Sequence, residues 1–106
     1  MAVLEIPVSN DTSFYKFQIA LEDAVYILEF RFNTRMDRWL MNILNESEEP
    51  ILMGIPMLTG IPLINGFVVD GKPPGTFFCY DESGQSRNPD RETFGRDVKL
   101  VYIESE

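Results

Sequence analysis

The chain has 106 residues, 44% hydrophobic and 25% charged, with 17 acidic against 9 basic side chains and a formal net charge of −8. That length and composition predict one ordered domain over residues 1–106, large enough to bury a core without metals or disulfides. Scattered lysines and arginines on an acidic chain argue against nucleic-acid binding, which needs clustered cations to displace counterions from phosphates.

From the N-terminus, Leu4-Glu5-Ile6-Pro7-Val8 reads as a short edge strand, because Pro7 has no N–H to donate to a ladder. The first residues lack the basic and long apolar regions of a signal peptide. A turn-forming run, Ser9 to Ser13, follows. Three strands with period-2 alternation come next. In Phe14–Leu21, Tyr15, Phe17, Ile19 and Leu21 share a face opposite Lys16 and Gln18. In Ala24–Phe32, Tyr26, Leu28, Phe30 and Phe32 oppose Glu29 and Arg31. In Arg38–Leu44, Trp39, Met41 and Ile43 oppose Arg38 and Asn42. The reversals fall at Leu21–Ala24 and Asn33–Asp37. Such alternation marks half-buried antiparallel strands and predicts a meander from Tyr15 to Leu44.

Glu46-Ser47-Glu48-Glu49-Pro50 reads as a solvated turn, with a spacing that fails the calcium-loop pattern. The uncharged stretch Ile51–Val69 is long enough to span a bilayer as a helix, but Gly54, Pro56, Gly60, Pro62 and Gly66 would break that helix repeatedly. It reads instead as buried irregular chain with short strands. It contains two similar pieces, Gly54-Ile55-Pro56-Met57 and Gly60-Ile61-Pro62-Leu63. Asn65-Gly66 is a hairpin-turn signal, and a short helical turn within 57–65 is the competing reading. Gly71–Gly75 is a stiff connector, and Thr76–Tyr80 an apolar strand. Asp81–Gly95 is a long polar loop, with a turn of helix near Arg91–Phe94 as the alternative there. Asp97–Glu104 closes the chain as a strand apolar on both faces, which places it centrally or against a partner. The fold class is all-β or β-rich: a small antiparallel barrel or sandwich built on the meander, with a long polar loop.

Catalytic chemistry finds little purchase. Histidine is absent, which removes Ser-His-Asp and Cys-His arrangements and the usual zinc sites. No glycine motif for phosphates is present. Carboxylates for a glycosidase pair exist, but a sugar cleft is hard to build at this size. Cys79, the sole cysteine, sits in an apolar run and reads as a core thiol. Trp39 reads as a core anchor, with a cation–π site shared with Arg31, Arg35 or Arg38 as the alternative. No enzyme activity, metal or cofactor is expected.

Taken together, Glu5-Ile6-Pro7-Val8, Phe30-Arg31-Phe32-Asn33-Thr34-Arg35, Trp39, Gly54-Ile55-Pro56-Met57, Gly60 with Leu63, Pro74-Gly75-Thr76-Phe77-Phe78, and Phe94-Gly95 through Val98 to Tyr102 resemble the baseplate plug proteins. This is a family of small phage tail proteins described for a cyanophage and found in contractile-tailed phages and prophages. The Glu46–Glu49 run and the Cys79 strand depart from the pattern. The resemblance implies a virion structural protein at the baseplate hub, made in the host bacterial cytoplasm and packed against hub, tube and spike proteins near the tube end. The competing function is an acidic interaction or inhibitor module that binds a basic partner. Candidate partner contacts are Ile55, Met57, Leu58, Ile61, Leu63 and Phe67 in the uncharged segment, and Val101 and Ile103 in the last strand.

Overall fold

A computed structural model describes residues 2–105. The alternating segments form an antiparallel meander of β2 (Phe14–Leu21), β3 (Ala24–Asn33), β4 (Arg38–Asn45) and β5 (Pro50–Pro56). A second sheet has the order β1 (Val3–Ile6), β7 (Val98–Ile103), β6 (Thr76–Asp81). The closing strand is thus central, as its two apolar faces predict. No helix forms among the described residues, and neither 57–65 nor 91–94 takes the helical alternative.

The two sheets stack as a β-sandwich, because each presents one apolar face to a shared core. Leu28, Phe30, Trp39, Met41 and Ile43 come from the first sheet, and Ile6, Phe77, Cys79, Leu100 and Tyr102 from the second. Register puts these side chains opposite one another across the ladders: Phe30 pairs with Met41, and Ile6 and Cys79 both pair with Leu100. Burial pushes the Cys79 thiol up to about 12, so it stays protonated and unreactive.

β5 lies inside the stretch whose glycines and prolines suggested irregular chain. Gly54 sits in a bulge: Met53 and Gly54 face the single residue Asn42, between the pairs Ile43–Leu52 and Met41–Ile55. The Gly54 φ is +71°, a left-handed value that suits glycine, and its N–H donates to Asn42 Oδ1 at 2.7 Å. Pro56 ends the strand at a sheet edge, where a missing N–H costs no ladder bond.

Beyond Pro56 the chain crosses to the other sheet. Met57 N–H donates to the Trp39 carbonyl, Gly60 N–H to the Cys79 carbonyl and Leu63 N–H to the Phe77 carbonyl, at 2.9, 3.1 and 3.0 Å. The segment therefore covers the outer edge of β6 and seals one side of the sandwich. Asn65-Gly66 is a turn within this crossing, with Phe67 N–H donating to the Ile64 carbonyl, and no strands pair across it.

The long polar loop between β6 and β7 folds back over the core. Asp81 anchors its start: Arg87 Nε lies 2.8 Å from Asp81 Oδ2, and the Ser83 N–H donates to Oδ1. Arg87 also reaches Asp97 at 3.4 Å. The Asp81 carboxylate is shielded from solvent, and the Arg87 guanidinium holds it well below the usual carboxylate range. A carboxylate depressed in the folded state contributes stability that is complete above its unfolded value. That contribution is lost as pH falls below the unfolded value, about 3.9, toward the folded one. Asp81→Asn should therefore lower the urea midpoint at neutral pH and flatten its decline on the acid side. Parallel pH profiles for the variant and the wild type would show that this ion pair contributes nothing.

Candidate partner-binding surface

The eight residues expected to meet a partner separate by position. Ile55, Met57 and Leu63 are buried in the shared core, so they hold the sandwich together and offer a neighbour no surface. Their hydrophobicity serves the seam between the sheets. Val101 sits on the outer face of the three-stranded sheet but is covered, with Glu5 and Phe78 as its cross-strand neighbours. Leu58 and Ile103 are half-buried. Ile61 and Phe67 are exposed.

Phe67 belongs to a feature that the sequence pattern did not single out. Phe67, Val68 and Val69 are consecutive and all exposed, with Val68 fully so. The turn behind them is held by Lys72, whose Nζ donates to the Ile64 and Phe67 carbonyls at 3.1 and 2.7 Å. Single exposed aliphatic residues are ordinary on a protein surface; three in a row on a pinned turn form a small apolar projection.

Topology decides what surrounds it. An antiparallel meander puts alternate turns at the same end, so the β2–β3 turn and the β4–β5 turn lie together. Asp70 and Gly71 reach the same place. Asp23, Glu46, Glu49 and Asp70 line one groove there, with Tyr26 and Ile51 among its other walls and no lysine or arginine. A second groove, lined by Asn65, Lys72, Pro74, Thr76, Ile103 and Glu104, adjoins the base of the projection. The cations of the loop between β6 and β7, Arg87, Arg91 and Arg96, lie at the opposite end of the strands.

The acidic turns are ordered by their own hydrogen bonds. In the β4–β5 turn the Ser47 and Glu49 N–H groups donate to Asn45 Oδ1 at 2.9 and 3.0 Å, and Lys16 pairs with Glu48 at 3.1 Å. In the β2–β3 turn, Glu22 and Asp23 both take positive φ, the backbone of a two-residue hairpin turn. The Glu22 carboxylate accepts from the Ser105 hydroxyl and N–H and from the Tyr102 hydroxyl, which lower its pKa. Tyr102 in turn accepts from the Gly75 N–H at 2.6 Å. This chain of bonds ties the turn of one sheet to the central strand of the other.

Trp39 is fully buried, as a core anchor should be. Among the described residues the guanidinium placed over its ring is that of Arg91, at 5.8 Å, rather than that of Arg31, Arg35 or Arg38. Among the described residues no cluster of three or more histidine, cysteine, aspartate or glutamate side chains is placed to hold a metal ion, and no helix is long and apolar enough to cross a membrane.

No curated protein matches the chain. The family described as the cyanophage baseplate Pam3 plug gp18 matches residues 3–105. A match over nearly the whole length, on a two-sheet fold with its glycine and aromatic motifs in structural positions, shows that the chain belongs to this family of phage baseplate plug proteins.

Proposed function

We propose that this protein is a structural component of a phage tail baseplate, seated at the central hub and packed against tail proteins near the end of the tube and the spike. The family match over residues 3–105 carries the reading. The architecture supports it. A rigid sandwich with short, hydrogen-bonded turns at one end presents fixed surfaces to neighbours, which suits protein packing better than substrate turnover. No catalytic residue, metal or cofactor enters the role. Packing is protein to protein, with neither nucleic acid nor membrane as the partner. The site of action is the virion tail, after synthesis in the cytoplasm of the bacterial host.

The test is composition and position in assembled tails. An affinity-tagged chain expressed during phage growth should be recovered in purified tails at a fixed ratio to the hub and tube proteins, and labelling should place it at the baseplate. Tails that lack the chain would overturn the reading. If the chain were instead recovered with one basic non-tail protein, the interaction-module alternative would replace it.

A further inference from the structure

Resting on that reading, we propose that the Phe67–Val69 projection and the carboxylate-rimmed groove beside it form a single docking surface. Its occupant is a tail protein that offers an apolar pocket bordered by lysine or arginine.

Three observations meet at this end of the sandwich. The projection is apolar and held in shape: Val68 is fully exposed, while Lys72 clamps the backbone on which Phe67 stands. An unclamped loop would lose conformational entropy on docking; this one has already given up much of it on folding. The groove wall that carries Asp70, next in sequence to Val69, also carries Asp23, Glu46 and Glu49 and no cation. The two nearby lysines are engaged elsewhere, Lys72 on main-chain carbonyls and Lys16 on Glu48. Carbonyl partners leave the Lys72 charge in place, but the four groove carboxylates outnumber that single cation and create a net negative field around an apolar centre.

That pattern specifies a partner by charge complementarity. An apolar anchor fills a pocket and excludes water, while rim charges of opposite sign steer encounter and fix orientation. A partner with an acidic rim would be repelled, and a flat polar partner would leave Val68 in water. At the opposite end the exposed apolar residues Met36 and Phe14 stand beside cations: Arg35 adjoins Met36 in sequence, and Arg31 pairs with Phe14 across the ladder.

The experiment uses the full chain in phage tails, comparing the amount incorporated with wild type. Val68→Asp and the charge reversal Glu46→Lys with Asp70→Lys should each reduce incorporation by about tenfold or more, as expected for loss of an anchor or its complementary rim. Val68 is fully exposed, and among the described residues neither Glu46 nor Asp70 makes a side-chain hydrogen bond, so unchanged thermal unfolding should accompany the loss. Met36→Asp, at the far end, should incorporate normally. If both tip variants enter tails as wild type does, the docking surface is wrong while the baseplate role stands. Equal losses from Met36→Asp and Val68→Asp would also overturn the surface. Absence of the wild-type chain from tails would remove the functional reading and this inference with it.

Discussion

Trp39→Ala should lower the unfolding free energy by about 3–5 kcal/mol, the range for emptying a fully buried aromatic site. The indole has no solvent exposure and touches aromatic rings on both sides: Phe32 at 5.5 Å and Tyr15 at 6.0 Å in its own sheet, and Phe94 at 5.2 Å from the polar loop. Its Nε1–H donates to the Asp90 carbonyl at 2.8 Å. Removing the ring therefore opens a cavity, takes one of two donors from a loop carbonyl and loosens the loop from the sheet. Native domains are stable by about 5–15 kcal/mol in total, so the variant should be close to unfolded at ambient temperature. Trp39→Phe separates the contributions, because it restores most of the apolar area but not the donor. It should recover more than half of the loss, leaving a deficit of about 0.5–1.5 kcal/mol for the lost hydrogen bond, because the Asp90 carbonyl keeps the Phe94 N–H as a donor. Urea unfolding of the three proteins measures this. A Trp39→Ala loss under about 1 kcal/mol would mean that the surrounding rings collapse into the space and that the anchor role is wrong.

The loop that Trp39 holds shows where local sequence stops being informative. The meander was legible because a strand with one face on a core must alternate with period 2; β2 does so over its whole length, and the larger apolar residues of β3 and β4 keep that period although Ile27, Asn42 and Leu44 on the other face are also covered. Phe94 gives no such signal. It is one apolar residue in a polar stretch, yet it is fully buried and packs on Phe30 and Trp39. Its burial depends on a distant arrangement: Asp90 receives the Trp39 donor and bonds the Glu92 and Thr93 N–H groups, which turns the chain so that Phe94 points inward. β5 was obscured for a different reason. Gly54 and Pro56 normally argue against a strand, but here one occupies a bulge and the other a sheet edge, the two places where a strand accommodates them.

The candidate surface was harder to find than the fold. Within an irregular uncharged segment, no period separates inward from outward side chains. Ile61 and Leu63 flank the same proline, and hydrophobicity does not distinguish them. The difference is that Leu63 bonds to the Phe77 carbonyl and is drawn beneath the seam, whereas Ile61 stays outside. The Glu46–Glu49 run is visible in the sequence, but its approach to Asp23 and Asp70 is a product of topology, which returns three distant segments to one end. Lys72 adds a further piece of information absent from any pattern, since its target is main-chain oxygen.

Two pieces of the family motif acquire a physical reason from close packing, and one gives the second large effect. Gly95→Ala should destabilise by about 2–5 kcal/mol, combining a left-handed backbone penalty of about 1–2 with an overpacking cost of about 1–3. Gly95 has φ +82°, and a Cβ there would collide with the Val8 carbonyl oxygen and lie 2.9 Å from its carbon. Those atoms are main chain, so no side-chain rotation relieves the clash; the β1–β2 connection would have to move away from the loop. Gly75 shows the same crowding with a φ outside the left-handed region, against the Ile103 carbonyl and the Tyr102 ring. Gly54→Ala supplies the control. Its φ of +71° carries a similar conformational penalty, but nothing lies within 4 Å of the added carbon. Gly54→Ala should therefore cost only the left-handed part, about 1–2 kcal/mol, and the excess at Gly95 measures the close approach. Equal losses at the two positions would show that the loop and the β1–β2 connection are not in contact as described. A larger loss at Gly95 would identify this contact as what holds the polar loop, with Phe94 beneath it, down on the core.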